Sequence, residues 1–354
     1  MTDAISFDAS PDVLYHGVPL RHVMELPVLG IPVRFESNSA AALAVVEAAF
    51  GIWRGLRTSS GLIAPLGVRV RLIVHEGDER DGSRVASHAP VTCRMPDADR
   101  VIVHTPGSVG IADTRRQEAT AYITPALLAD RAHVQYSMIE GLTLTLVTAC
   151  DRYPVHAAAI ARGGVALLLA GPPGTGKSTL AYQAHRLGLR VLSDDAVYVQ
   201  LNPEFRVWGL PGRVRLLTTA VTHFPELAGR SPTLLANGDE KLVVQYPGEW
   251  PAPTAPAPVA TRAAVCLLER NGVGTTVSKV PASAAEVQAF LKNGLGLSRA
   301  RFGASLDGAL RWLAGAGGWR VSLSANPADA MPMFDDMLAE LESEGSMTVA
   351  PNDG

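Results

Sequence analysis

The 354-residue sequence has no excess of positive charge and no long apolar run. Its formal net charge is −3, which argues against the basic surface that binds nucleic acid or an anionic membrane. No segment approaches the roughly 18 uninterrupted apolar residues that indicate a membrane span. The first ten residues, MTDAISFDAS, lack the cationic and apolar regions of a secretion signal. We therefore expect a cytoplasmic protein that binds neither nucleic acid nor a membrane.

Cysteine is also scarce. Cys93, Cys150 and Cys266 lie far apart, and the sequence has no C-x-x-C pair. This spacing excludes the common zinc and redox motifs, and the apolar neighbourhoods predict buried, inert thiols. With 47% apolar and 18% charged residues, the chain has the composition of an ordinary globular protein with large cores.

Hydrophobic periodicity divides the chain into two predicted domains and a tail. The segment IPVRFESNSAAALAVVEAAFGIW predicts a strand, a Ser/Asn cap and a helix, GVRVRLIVH and RVIVHT predict strands, and residues 124–151 have helical spacing. We expect an N-terminal α+β domain over residues 1–150, an α/β domain over 151–345 and a mobile tail over 346–354. Within the second domain, PGEWPAPTAPAP predicts a surface loop.

The central stretch GPPGTGKSTLA matches the phosphate-binding pattern G-x-x-x-x-G-K-[ST]. An apolar strand, VALLLA, precedes it and a helical pattern follows, which is the context that places backbone N–H groups and a helix N-terminus around phosphates. That context disfavours the alternative of a glycine-rich turn with a solvated lysine. Lys177 is expected to contact the β and γ phosphates of ATP, and Ser178 to bind Mg²⁺. The predicted nucleotide-binding residues are Gly171, Pro172, Pro173, Gly174, Thr175, Gly176, Lys177, Ser178 and Thr179.

Two aspartates end the next apolar strand, seventeen residues after Lys177. In a strand, helix, strand crossover, parallel strands end at the same edge of the sheet, so Asp194 and Asp195 should emerge near the loop. One carboxylate could contact Mg²⁺ while the other accepts a proton from an attacking hydroxyl. We predict Asp194 as the base and Asp195 as the metal-binding partner; the alternative is that the pair only begins a turn.

A hairpin before the loop brings a histidine to the same place. If Arg162 pairs with Val165 across Gly163-Gly164, antiparallel register places His156 opposite Gly171. His156 is then predicted to contact phosphate or to orient a carboxylate, although a lone histidine beside apolar residues is often only a core residue.

Four further charged residues are weaker candidates for the site. Three cations could stabilise the transferring phosphate or could simply lie on solvated strand faces, and one acid ends the strand AVCLLE, where an orthodox ATPase would carry its catalytic acid. These residues are Arg213, Arg215, Lys241 and Glu269.

Residues 153–200 resemble the catalytic core of the HPr kinase/phosphorylase family, which includes the HPr-kinase-like enzymes associated with lasso-peptide clusters. In that family a histidine begins the hairpin strand before the loop and an Asp-Asp pair ends the strand after it, as His156, Asp194 and Asp195 do here. The resemblance implies a P-loop kinase core of the phosphoenolpyruvate-carboxykinase type. The chain differs in having Thr179 where HPr kinases have Glu, in lacking the later glycine-rich signature of phosphorylase activity, and in its first 150 residues. These differences favour the HPr-kinase-like branch, with an acceptor other than HPr.

The sequence therefore predicts an ATP-dependent, Mg²⁺-requiring kinase that phosphorylates a hydroxyl, most readily a serine of a protein or precursor peptide. Residues 1–150 would recognise the acceptor, and the chain could form a homo-oligomer. A small-molecule acceptor is the nearest alternative. A nucleotide-sensing module without phosphoryl transfer is the alternative from a different functional class.

Overall fold

The computed structural model describes residues 12, 15–54, 56, 67–75, 91–210, 212–235, 239–245, 259–270, 276–293, 296–315 and 317–346. Over these ranges the chain has a mixed α/β fold whose strands form four sheets. The predicted proline-rich loop lies outside the described residues. So does the predicted tail, apart from Ser346, which is the last residue of the final helix.

The first half of the chain forms a seven-stranded mixed sheet in the order β1-β2-β3-β7-β6-β5-β4. Its strands are β1 His22–Val28, β2 Ile31–Ser37, β3 Val68–Val74, β4 Thr92–Arg94, β5 Arg100–Thr105, β6 Ser108–Asp113 and β7 Glu118–Ile123. The accompanying helices are α1 Ala40–Phe50, α2 Pro125–Ala129, α3 Arg131–Val134, a π-helical segment Gln135–Glu140, and α4 Gly141–Thr148. This arrangement agrees with the predicted strands and with the helical spacing over 124–151.

Helix α1 is anchored differently from the sequence prediction. Ser39 occupies the N-cap position, but its side chain makes no capping hydrogen bond. Instead the Asn38 side chain donates to the Val74 carbonyl oxygen at 2.7 Å and accepts the Val74 N–H at 2.8 Å. A cross-strand amide bridge therefore fixes the start of α1 against β3.

The cysteine prediction holds for only one of the three residues. Cys266 is buried in the core, Cys150 is partly buried, and Cys93 is exposed on β4. The prediction was wrong for Cys93 because β4 is an edge strand whose three residues all face solvent.

The second half is built on a six-stranded sheet in the order β11-β9-β10-β18-β20-β19. Its strands are β9 Ala158–Arg162, β10 Val165–Ala170, β11 Arg190–Ser193, β18 Arg262–Glu269, β19 Ser278–Ala282 and β20 Gly318–Ser322. Two smaller sheets contain β8 Tyr153–Val155, β12 Val197–Gln200, β13 Arg206–Gly209, β14 Arg213–Leu216, β15 Thr233–Leu234, β16 Glu240–Gln245 and β17 Val259–Ala260. The helices are α5 Lys177–Arg186, α6 Ala284–Asn293, α7 Gly296–Gly315 and α8 Met331–Ser346.

Strand β10 lies at the centre of this half because both of its faces are apolar. Leu167 and Leu169 pack into the core formed with α5 and α8, while Leu168 packs into the core formed with α6 and α7. All six residues of the strand are buried. A strand covered on both faces reads as a continuous apolar run, which is what VALLLA indicated.

The two halves share a core. Tyr198 and Trp208, from β12 and β13, pack among the apolar residues of the N-terminal sheet. Arg152 is buried beside them, with its Nε donating to the Leu29 carbonyl oxygen at 2.8 Å and its guanidinium 5.4 Å from the centre of the Trp208 ring. The helices over 125–148 also bury their apolar residues in this core. Among the described residues, no helix has the length and apolar character needed to cross a membrane.

Candidate functional site

A glycine-rich loop joins β10 to α5. The Thr175 hydroxyl donates to the Pro172 carbonyl oxygen at 2.8 Å, and Gly176 takes a left-handed φ of 101° at the start of the helix. A side chain at Gly176 would be strained at that φ, and its Cβ would lie 3.2 Å from the Arg270 guanidinium. Ser178 and Thr179 lie half-buried in the first turn of α5, where the N–H groups of a helix have no carbonyl partner within it. The predicted residues Gly171–Thr179 therefore form the loop after β10 and the first turn of α5, whose N–H donors can hold an anion.

The Lys177 ammonium lies inside this loop rather than in solvent. The residue is 8% exposed, and its Nζ donates to the carbonyl oxygens of Gly171 at 2.7 Å and Pro172 at 3.3 Å. Burial lowers the pKa of Lys177, with Asp195 opposing and Lys241 reinforcing that shift. A buried ammonium hydrogen-bonded to neutral carbonyls gains a stronger partner when an anionic oxygen enters the loop.

Asp194 follows β11 and is almost completely enclosed. It is 5% exposed, and its Oδ2 accepts the backbone N–H of Arg215 at 2.8 Å. Its Oδ1 accepts no hydrogen bond within the described part of the chain. Burial raises the pKa of Asp194 to about 6, and the Arg215 N–H offsets this only in part. Such a carboxylate is a stronger base than an ordinary aspartate and is still mostly ionised at pH 7.

The side chain of Asp195, the next residue, is exposed to solvent. Its side chain is 57% exposed, and its Oδ1 lies 3.3 Å from Nδ1 of His156. The Ser193 hydroxyl accepts the N–H groups of Asp195 at 3.5 Å and Ala196 at 3.3 Å, which holds the turn that separates the two acids. Two adjacent aspartates are thus placed in different environments, one buried and one solvated.

Sheet topology brings these groups to one edge. The hairpin register has Arg162 opposite Val165, as predicted, and its ladder runs to Ala158 opposite Leu169. His156 lies two residues beyond that ladder. Because β10 and β11 are both antiparallel to β9, they run parallel to each other and end at the same edge. Strand β9 lies between them, so the acids are one strand removed from the loop.

The side chains at this edge include ligand types that a nucleoside triphosphate with Mg²⁺ would need. Ser178 and Asp195 offer the hydroxyl and carboxylate oxygens that Mg²⁺ prefers. No group of three or more His, Cys, Asp or Glu side chains in the described ranges is arranged to hold a metal ion alone. Mg²⁺ in kinases needs only one or two protein carboxylates, because substrate phosphates supply further ligands. The left-handed Gly176 and the buried Lys177 fit a phosphate cradle.

The three other cations that the sequence suggested for the site, Arg213, Arg215 and Lys241, each have a different environment. Arg213 forms an ion pair with the nearly buried Glu140 at 2.6 Å, so its guanidinium is engaged by the helical segment before α4. Its charge also lowers the pKa of Asp194, and its contact with phosphate stays a prediction. Arg215 contributes its backbone N–H to Asp194, and its positive charge also lowers the pKa of that acid. Lys241 is close enough for its charge to lower the pKa of Lys177.

Glu269 and Arg270 lie on the opposite flank of the loop. The sequence indicated Glu269 as a candidate but not Arg270. Glu269 ends β18, the parallel neighbour of β10, and is exposed. Arg270 follows it, and its Nε donates to the Thr175 carbonyl oxygen at 3.2 Å. The sequence patterns did not point to Arg270, because it lies 92 residues after Ser178 in the chain. The signal that could have found it is its position just after an apolar strand parallel to β10.

Neither a family model nor a curated protein matches the chain. The chain is similar to the solved structure of the HPr(Ser) kinase/phosphatase from Coxiella burnetii, with 13% sequence identity and a TM-score of 0.28. The match covers 55% of this chain and 93% of that one. This similarity is too low to assign the chain to a family.

Proposed function

We propose that the chain is an ATP-dependent phosphotransferase that phosphorylates a hydroxyl group, in the first place a serine of a protein or precursor peptide. The observation that carries the proposal is the meeting, at one sheet edge, of a glycine-rich loop holding a buried ammonium and a pair of aspartates in unequal environments. A phosphate cradle alone serves many classes of protein. A basic carboxylate at the same sheet edge can assist phosphoryl transfer by accepting the proton of an attacking hydroxyl.

Each residue has a role in this proposal. Lys177 and the N–H groups of the loop hold the triphosphate, and Ser178 with Asp195 holds Mg²⁺, which supplies charge neutralisation when bound. Asp194 takes the acceptor proton while the new oxygen-phosphorus bond forms and the bond to the ADP oxygen breaks. His156 orients Asp195.

The N-terminal domain is proposed to recognise the acceptor. Residues 1–150 contain none of the phosphate-loop or acid residues, and residues 151–345 contain them all. A cytoplasmic location and the absence of a nucleic-acid partner remain predictions from composition.

The test is transfer of label from γ-labelled ATP, with the full chain incubated in a lysate of its own source. We expect a labelled protein or peptide bearing phosphoserine, lost with both Lys177→Ala and Asp194→Asn. Label only in small molecules would instead identify a small-molecule kinase.

One observation favours the nucleotide-sensing alternative. Asp194 is 5% exposed and bound to the Arg215 N–H, as a purely structural carboxylate would be. In that case wild-type protein binds Mg-ATP but labels no acceptor, and Asp194→Asn leaves nucleotide turnover unchanged.

A further inference from the structure

A cleft of about 480 Å³ opens on the β18 side of the glycine-rich loop. Its walls are Pro172 and Pro173 of the loop, Leu267 and Leu268 of β18, and Phe290 of α6. Glu269 and Arg270, both exposed, stand at its margin. A concave apolar space with one aromatic ring and a few polar groups is typical of small-molecule sites.

The cleft and the acids lie on opposite flanks of the loop. Along the sheet edge the order is β11, β9, β10, β18, so Asp194 and Asp195 follow the strand beyond β9, while the cleft is formed at β18, the other neighbour of β10. The acid flank offers two carboxylates and the His156 imidazole, which lies 3.3 Å from Asp195. The Phe290 ring and the apolar walls on the cleft side give a heteroaromatic group a matching surface.

Arg270 connects the cleft to the loop. Its Nε is bonded to the Thr175 carbonyl oxygen, and its Nη2 lies 3.2 Å from where a Cβ on Gly176 would be. Arg270 forms no ion pair within the described residues. Its positive charge is thus held at the N-terminal end of α5, next to the space into which phosphates would extend.

We propose that this cleft binds the nucleoside part of the nucleoside triphosphate, with Phe290 against the base and Arg270 at the phosphates nearest the ribose. The Glu269 carboxylate supplies hydrogen-bond acceptors for the ribose hydroxyls. The acceptor hydroxyl then approaches from the opposite flank, where Asp194 lies. This inference rests on the proposed function, because it assumes that phosphates occupy the loop.

The test compares two ligands, Mg-ATP and Mg-tripolyphosphate, which share phosphates but differ in the nucleoside. Calorimetry on the full chain should show that Phe290→Ala weakens Mg-ATP binding by about tenfold to a hundredfold, the range expected for loss of one base-aromatic contact, and leaves tripolyphosphate binding unchanged. Phe290→Leu, which keeps an apolar side chain but removes the ring, should also weaken Mg-ATP binding. Arg270→Ala should weaken both ligands by about tenfold.

Trp312→Ala is the matched control. It removes a half-exposed aromatic residue of α7 that stacks on Phe205 and does not line the cleft. Its binding of both ligands should equal that of the wild type. Circular dichroism establishes that each variant is folded.

The outcomes separate this inference from the proposed function. If neither ligand binds the wild type, the phosphate site itself is wrong. If both bind equally well and Phe290→Ala changes neither, the phosphate site stands and the nucleoside assignment is overturned. A Phe290→Ala variant with normal Mg-ATP binding but a raised KM for the acceptor would overturn it too, because the cleft would then be the acceptor site.

Discussion

Replacing Asp194 with asparagine should stabilise the protein at neutral pH while removing its activity. The pKa of Asp194 is raised from 3.8 to about 6, chiefly by burial. The folded protein therefore holds a proton on this carboxyl more tightly than the unfolded chain does, and ionising it costs stability. At about 1.4 kcal/mol per pH unit, the difference between 3.8 and about 6 corresponds to a cost of at most about 3 kcal/mol.

The pH dependence of this cost follows from its sign. Well below pH 3.8 the carboxyl is protonated in both states, so the cost vanishes. It grows as the pH rises from 4 to 6, because the unfolded chain releases the proton first, and it is constant above pH 7. Asparagine does not ionise, and its side-chain oxygen can still accept the Arg215 N–H.

Urea unfolding of the wild type and Asp194→Asn, followed by tryptophan fluorescence, measures the difference directly. The variant should be more stable at pH 8 by up to about 3 kcal/mol, and this advantage should shrink by about 2 kcal/mol at pH 4.5. Asp195→Asn is the matched control. Its side chain is 57% exposed, so its replacement should bring no comparable pH-dependent gain.

An Asp194→Asn variant that is less stable than the wild type at every pH, or that differs by the same amount at pH 4.5 and pH 8, would refute this reasoning. Burial would then not be what sets the proton affinity of Asp194. If the gain appears together with loss of phosphoryl transfer, the buried charge is retained for chemistry at a cost in stability, as is common at functional sites.

Three further predictions concern the loop, the sheet and the base. Lys177→Ala should weaken Mg-ATP binding about tenfold to a hundredfold by calorimetry, because it removes a charged donor; unchanged affinity would exclude the loop as the phosphate site. Gly209→Ala should lower the free energy of unfolding by about 3 kcal/mol or more, since its Cβ would lie 2.1 Å from the Leu192 carbonyl oxygen, whereas Gly308→Ala, with open space, should not; equal effects would contradict the packing. Single-turnover transfer should rise with pH through about 6 and then level off as Asp194 ionises, and a rate already constant from pH 4.5 upward would argue against this base.

Local patterns predicted the parts of the site that local geometry determines. The strand VALLLA, the turn at Gly163-Gly164 and the helix after the loop all follow from residues close in sequence, and the structure has them. The register of the hairpin also follows, because a two-residue turn fixes which residues face each other. The edge shared by the loop and the aspartates follows from the parallel crossover.

Contacts between residues far apart in the chain could not be predicted from local sequence patterns. Arg213 is paired with Glu140, 73 residues earlier in the chain. Asp194 is buried, and its Oδ2 accepts the N–H of Arg215 on β14, 21 residues later in the chain. The acids in Asp194-Asp195 are identical in the sequence, so only the tertiary structure distinguishes the buried one from the solvated one.

The shared core also changes what can be tested by truncation. The predicted boundary near residue 150 suggests that a chain beginning at Arg131 would retain nucleotide binding. In the structure, Met138 and Leu142 are buried against the N-terminal sheet, and Trp208 from the second half completes the same core. Removing that sheet would expose these side chains to water at a cost of about 1.5–3 kcal/mol for each one that was fully buried. Loss of nucleotide binding on truncation would therefore report instability as much as function, so acceptor recognition by residues 1–150 is better tested with surface substitutions in the full chain.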